Sequence, residues 1–254
     1  MGKDALMQNY YGSLCTEMYE LLHAQAPQDE LDFYLSYAMP DMKILEPLCG
    51  SGRFIVPFIN RGLSDIYGMD LSREMIDELR KKCPQARAIC SDVLDYAPSI
   101  RFDYIFIPSG SISLFTDRDA CKKVLAHLKG LLAPGGTLVF AVDTVALRCP
   151  DDDDYELNVS VDTEEGLTLV LRTKNSYDES TRTQFSPGKY ELYRGEELLQ
   201  SEFMDFQTHL YTYGEMEELL HEVGFKDVMT YSSYDKAPAV NDECEMFLFE
   251  CTDH

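Results

Sequence analysis

The segment Lys43-Ile44-Leu45-Glu46-Pro47-Leu48-Cys49-Gly50-Ser51-Gly52-Arg53-Phe54-Ile55-Val56 restricts the fold of this chain more than any other. A short apolar run ends in an acid, a tight Gly-x-Gly turn follows, and an apolar-periodic stretch comes next. That order reads as a strand, a glycine loop and a helix start. Glycines at such a turn let backbone N–H groups approach a ligand closely, and the helix N-terminus behind them favours negative charge.

The pattern continues as strand–helix alternation. Strands are expected at Ile44-Leu45, Asp65–Asp70, Ala86–Cys90, Phe102–Ile107 and Thr137–Val142. Helices are expected at about 52–60, after Ser72 as N-cap, and from about Asp117 to Leu132, the last closed by Pro134-Gly135-Gly136. Near-continuous apolar strands between helices predict an α/β fold with a parallel sheet covered on both faces. Between about Ala146 and Leu210 the period changes to two, as in Leu157-Val159-Val161, Leu167-Leu169-Leu171, Tyr190-Leu192-Tyr193 and Phe203-Asp205-Gln207-His209. This predicts antiparallel strands inserted as a lid. Helical spacing of Leu14, Met18, Leu21 and Leu22, and of Leu31, Tyr34, Leu35 and Ala38, predicts a helical opening that Pro40 ends. A helix from Tyr213-Gly214-Glu215 to Val223, ended by Gly224, and strands at Val228–Tyr231 and Glu245–Phe249 complete the chain. The resulting organisation is a helical cap over 1–40, a core over 41–145 and 211–254, and a lid over 146–210.

The size of 254 residues suits one large domain with an insertion. Met1-Gly2-Lys3-Asp4-Ala5-Leu6 lacks the apolar core of a secretory signal, and Leu6 spoils a myristoylation context. No apolar run approaches the ~20 residues needed to span a bilayer, so a cytoplasmic protein is expected. The eight cysteines include no Cys-x-x-Cys pair and the five histidines, His254 among them, are scattered, so no metal site and reduced thiols are expected. A net charge of −23, with basic residues grouped only at Arg80-Lys81-Lys82 and Lys122-Lys123, disfavours nucleic acid and anionic membranes as partners. A small-molecule partner is expected. The Asp151–Asp154 run reads as a solvated loop.

Acids follow the strands in order. Asp70 closes the second strand, 18 residues beyond Gly52, where a carboxylate can accept hydrogen bonds from a ribose diol. Asp92 follows the third strand, placed for an adenine amino group. The fourth strand opens into Pro108-Ser109-Gly110-Ser111, at the sheet edge where ligands sit. Ile55 occupies the position three beyond the second glycine where a dinucleotide loop prefers a small residue, which argues against NAD or FAD. Glu46 would repel a pyrophosphate and suits an ammonium. A nucleoside with an amino-acid tail, S-adenosylmethionine, satisfies both.

With these residues in place the sequence resembles the class I S-adenosylmethionine-dependent methyltransferases over most of its length. Glu46–Gly52 is similar to that family's first motif, Gly68–Met75 to its ribose-binding segment and Ser91-Asp92-Val93 to its adenine-contacting segment. Leu131–Leu138 and Leu219–Phe225 resemble two of its structural signatures. The resemblance implies a Rossmann-like, doubly wound, mostly parallel seven-stranded sheet with helices on both faces. It implies a cofactor site made by Glu46, Leu48, Gly50, Gly52, Asp70, Leu71, Asp92, Val93, Pro108 and Ser109, releasing S-adenosylhomocysteine as product. Leu48 and Arg53 stand where many relatives carry glycine.

Methyl transfer from a sulfonium needs orientation, water exclusion and a deprotonated nucleophile. The Asn/Asp-Pro-Pro-Tyr signature of DNA-base methylation is absent after the fourth strand, where Ile107-Pro108-Ser109-Gly110 stands. A small organic acceptor is therefore expected, with His209, Tyr211 and Tyr11 as candidate catalytic residues and Tyr10 and Tyr19 beside them. A non-catalytic S-adenosylmethionine-binding module and a nicotinamide-dependent oxidoreductase are the alternatives. The acceptor and the oligomeric state stay open.

Overall fold

A computed structural model describes residues 8–163 and 165–252; the expectations placed on Met1–Leu6 and on His254 lie outside them. In chain order, α1 (Ser13–His23) and α2 (Gln28–Leu35) precede β1 (Ile44–Pro47), α3 (Ile55–Asn60), β2 (Ile66–Asp70), α4 (Arg73–Lys82), β3 (Arg87–Cys90) and β4 (Phe102–Ile107). Next come α5 (Arg118–Leu131) and β5 (Leu132–Asp143). An all-β insertion follows: β6 (Glu156–Asp162), β7 (Thr168–Thr173), β8 (Ser176–Asp178), β9 (Thr183–Phe185), β10 (Gly188–Arg194), β11 (Glu197–Met204) and β12 (Gln207–His209). The chain returns through α6 (Glu215–Val223), β13 (Asp227–Tyr231) and β14 (Met246–Thr252).

The main sheet has seven strands in the order β13-β14-β5-β4-β1-β2-β3. The strands from β1 to β5 pair in parallel, while β14 runs antiparallel to both β5 and β13. The order reverses between β1 and β4, which places a ligand crevice at their carboxyl ends.

Continuous apolar strands arise because both faces are covered. In β4, Ile105 and Ile107 join the layer of α5 and α6, with Leu125, Leu128 and Leu219. Tyr104 and Phe106 point the other way, into the layer of α2, α3 and α4 with Tyr34, Phe58 and Leu79. The period-two alternation of side chains across a strand thus divides one hydrophobic run between two cores.

Local signals set the helix ends. The Ser72 side chain accepts from Met75 N–H at the start of α4, and Asp117 accepts from Ala120 N–H at the start of α5. Gly224, at φ 100°, ends α6 in the left-handed conformation. Two boundaries differ from the sequence expectation. Helix α3 starts at Ile55 rather than near Gly52, because Leu48, Gly50 and Gly52 all have positive φ and no helix passes through them. Strand pairing of β5 begins at Leu132, ahead of the Pro134-Gly135-Gly136 turn, and a register shift in its pairing with β4 absorbs the turn.

The insertion forms two sheets, β11-β10-β7-β6 and β12-β9-β8. The segment expected as one strand from Phe203 to His209 is two, split at Asp205-Phe206, so that β11 and β12 serve different sheets. The insertion's ends are tied together: Tyr211 N–H donates to the Asp143 carbonyl at 2.9 Å and Val145 N–H to the Tyr211 carbonyl at 3.2 Å. The Asp151–Asp154 run is a loop, exposed at Asp151, Asp153 and Asp154. Asp152 accepts from Asn175 N–H and Asp151 from Tyr177 N–H, closing the base of the insertion.

The two N-terminal helices separate in function. Tyr34 of α2 is fully buried in the core, whereas α1 buries Leu14, Cys15 and Met18 against Leu169, Tyr190 and Met204 of the insertion. Leu21 and Leu22, expected on the same face, are exposed. All eight cysteines are free, and no group of potential metal ligands occurs among the described residues. No helix among them is long and apolar enough to cross a membrane.

Candidate functional site

The glycine loop owes its shape to three left-handed residues, Leu48 (φ 57°), Gly50 (φ 52°) and Gly52 (φ 91°). Gly52 is required twice over, since a Cβ there would also strike the Leu79 side chain on α4. Leu48 takes the same conformation with a side chain, at a cost of about 1 kcal/mol.

Above this loop lies a cavity of about 500 Å³. Its floor comes from the strand ends: Glu46 within β1 with Leu48 after it, Asp70 closing β2 with Leu71 after it, and Pro108 and Ser109 after β4. Its roof is the N-terminal segment, with Tyr10, Tyr11, Tyr19 and His23. Gly50 lines it as well, whereas Gly52 does not and acts by letting the loop pack on α4.

The acids of the floor differ in their partners. Asp70 accepts from Gly50 N–H at 2.9 Å and from Ser72 N–H at 2.8 Å, which fixes its orientation and leaves each oxygen a second lone pair. Burial still raises its pKa above the ordinary carboxylate range, against these N–H groups. Glu46 is 1% exposed, and its Oε2 has no hydrogen-bond partner. Burial, followed by the charges of Asp70 and Glu30, pushes its carboxyl well above the usual range, with the Ile55 N–H opposing. A buried carboxylate oxygen without a donor is costly unless a ligand supplies one.

Arg53 lines the same cavity, its Nε donating to the Gln25 carbonyl at 3.0 Å. The residue that departs from a glycine loop thus brings a guanidinium to the cavity wall, near Tyr19 and Gln25. Ser109, at φ 56°, is held by a buried acid that sequence reading passed over: Glu30 of α2 accepts from Ser109 N–H at 2.7 Å and from its hydroxyl. The only signal for Glu30 was a carboxylate one position from the apolar face of a helix.

Of the other residues singled out from sequence, Asp92 and Val93 do not line the cavity. The Asp92 carboxylate accepts from Leu94 N–H in its own turn, and Val93 is buried in the core. Tyr11 lines the cavity, but His209 and Tyr211 do not. They border a separate space of about 20 Å³ with Glu215, and Phe115 and Thr116 border both spaces. His209 Nε2 lies 2.8 Å from the Glu215 carboxylate, to which Arg182 also donates at 2.6 Å. Burial alone would raise Glu215; the hydrogen bonds from His209 and Arg182 outweigh it and hold it down at about 2. This group ties the end of the insertion to the start of α6.

A strap closes the roof. The Asn9 side chain donates to the Leu114 and Gln207 carbonyls and accepts from Gln207 N–H at 2.8 Å. The Ser72 hydroxyl donates to the Tyr11 carbonyl at 2.6 Å, and the Tyr10 hydroxyl to Glu74 at 2.7 Å. Residues 9–12 thereby join the loop after β4, the insertion and α4.

Residues 44–136 match a family model described as a methyltransferase domain. Two trans-aconitate 2-methyltransferases, from Acidovorax sp. and Acidovorax ebreus, are each 30% identical over 129 residues. The match spans 50% of this chain and 45% of those relatives' own length. Among solved structures, an S-adenosylmethionine-dependent methyltransferase from Clostridium acetobutylicum has a TM-score of 0.73 at 18% identity, covering 93% of this chain and 96% of that one. A sugar N-methyltransferase from Streptoalloteichus sp. has a TM-score of 0.74 at 16% identity, covering 100% and 98%. An amino pentose methyltransferase from Micromonospora echinaspora, solved with S-adenosylmethionine bound, has a TM-score of 0.67 at 17% identity, covering 98% and 100%. The shared architecture is the Rossmann-like sheet, and the likeness extends across the insertion.

Proposed function

We propose that this chain, which carries a methyltransferase domain at its glycine loop, transfers a methyl group from S-adenosylmethionine to a small-molecule acceptor. The observation that carries the reading is Glu46 at the wall of a 500 Å³ cavity that Arg53 also lines, its buried Oε2 without a partner. An amino-acid tail is what these two lining residues suit: the ammonium to Glu46 and the carboxylate to Arg53. Gly50 brings backbone close to the same end, and Asp70 is oriented to accept from two ribose hydroxyls. Leu48, Leu71, Pro108 and Ser109 supply the remaining walls. Bound there, S-adenosylmethionine supplies an activated methyl on sulfur, open to in-line displacement.

The chain's own part is positioning and exclusion of water. Tyr10, Tyr11 and Tyr19 cover the cavity, so that charges inside interact with little solvent screening. A pyrophosphate in place of the amino-acid tail would lie against Glu46, which counts against the nicotinamide reading. The amino sugars and trans-aconitate named for the similar proteins support a small-molecule acceptor rather than a macromolecule.

Calorimetric titration with S-adenosylhomocysteine tests the reading. The parent is expected to bind it and not NAD. Glu46→Gln and Asp70→Asn are each expected to weaken binding about tenfold or more, on the order of 1.5–3 kcal/mol for a charge-assisted hydrogen bond. Full affinity in both variants, or no binding by the parent, overturns it.

A further inference from the structure

Asp143 closes β5, the strand next to β4 on the side away from β1. Its backbone is fully used: the N–H donates to the Ser113 hydroxyl at 2.8 Å and the carbonyl accepts from Tyr211 N–H at 2.9 Å. Its carboxylate is not. Among the described residues it has no hydrogen bond or ion pair, although the side chain is largely enclosed. The oxygens lie against Gly110, where a Cβ would overlap Oδ1. The neighbours of Gly110 in sequence, Ser109 and Ser111, line the main cavity. The Tyr11 hydroxyl, also of that cavity, lies within electrostatic reach of both Asp70 and Asp143. Asp143 therefore stands one step beyond the cavity, on the side opposite the ribose-facing acid.

We propose that Asp143 is the acceptor-binding acid, holding an ammonium group of the acceptor between Tyr11 and the Gly110 turn and taking a proton from it. The inference rests on the methyl-transfer reading and names its substrate class as a primary or secondary amine. An N–H bond of the ammonium breaks and its proton passes to the Asp143 carboxylate, which frees the nitrogen lone pair. That lone pair forms the N–C bond as the C–S bond breaks, and the C–S electron pair stays on sulfur. The positive charge moves from sulfur to the methylated nitrogen, and the Asp143 proton leaves to water.

Three features favour an amine over a carboxylate or hydroxyl acceptor. An unpartnered, enclosed carboxylate is stabilised by a cation and repels an anion. Arg53, the one arginine or lysine among the described residues of the cavity lining, stands at the glycine loop, where the cofactor's own carboxylate needs it. The chain's charge of −23 draws cations toward the site and repels polyanions. Burial also raises Asp143 to about 7, which suits a base working near neutral pH.

The test uses the full chain saturated with S-adenosylhomocysteine, with glucosamine and ethanolamine as amine probes, glucose as the neutral probe and citrate as the anionic one. Calorimetry is expected to show amine binding by the parent, about tenfold or more weaker in Asp143→Asn, with the S-adenosylhomocysteine affinity of the variant kept. Gly110→Ala, which crowds the carboxylate from the other side, is expected to weaken amine binding as well. In turnover, Asp143→Asn is expected to lower kcat for amines about 100-fold. Equal amine affinity in parent and Asp143→Asn, no amine binding, or preference for citrate overturns the proposal. Failure of the parent to bind S-adenosylhomocysteine overturns the methyl-transfer reading instead.

Discussion

Glu46 and Asp143 both carry carboxyl oxygens with no hydrogen-bond donor among the described residues, and burial raises the pKa of each. Burial raises Asp143 from an ordinary value of 3.8 to about 7. Between those pH values the native chain retains a proton that the unfolded chain has released, so stability falls as pH rises through this window. Below the unfolded value both states are protonated and the penalty vanishes; above about 7 it is complete, worth up to about 4 kcal/mol. Asp143→Asn is therefore expected to be more stable than the parent at pH 8 and equal to it near pH 3.5, read as the difference in urea midpoint at the two pH values. Arg53→Met removes a charge-assisted hydrogen bond to the cofactor's carboxylate in the proposed complex. It is expected to weaken S-adenosylhomocysteine binding about tenfold, by calorimetry, with little change in melting temperature.

At the scale of elements, the N-terminus of α1 has no cap of its own. Gly12 offers no side chain, and Glu202 of β11 reaches across to accept from Leu14 N–H, Cys15 N–H and the Ser13 hydroxyl, each at 3.1 Å. A carboxylate at a helix N-terminus also meets the helix dipole favourably. The absence of a Cβ at Gly12 makes room, since one there would lie 2.6 Å from the Glu202 carboxyl carbon. Glu202→Ala is expected to cost about 1–2 kcal/mol and to speed amide hydrogen exchange in α1 more than in α5. Because α1 carries Tyr19 and His23 of the cavity, the same variant is expected to release S-adenosylhomocysteine faster. On the core side, Gly52→Ala combines a left-handed φ with a clash on Leu79; a loss of about 2–4 kcal/mol in denaturant unfolding is expected.

At the scale of the whole molecule, 45 acids against 22 basic residues set the behaviour. Exposed pairs such as Arg118–Glu222 and Arg80–Asp77 use some of the basic groups, and each stabilises little. The remaining acids repel one another, and added salt screens that repulsion. The melting temperature is expected to rise between 20 mM and about 300 mM NaCl, as ionic strength shortens the Debye length. For amine acceptors the same change is expected to raise KM, because the attraction that draws cations in is screened as well.

The glycine loop, the acids after β1 and β2 and the alternating strands of the core were legible because each rests on contacts within a few residues. Ser72 capping α4, the turn residues around Gly50 and the period of β4 are local physics, and the sheet follows from them. Glu30 and Asp143 were not legible. Each is one acid among many until a distant segment, Ser109 for the first and Gly110 with Tyr11 for the second, is brought against it. His209 shows the converse: its place before α6 was evident, but its pairing with Glu215 and Arg182 depends on how the insertion returns to the core. The sequence alone determined the layered α/β core and the glycine loop at its crevice. Tertiary structure decided which carboxylates remain without partners, because burial and pairing depend on elements far apart in the chain.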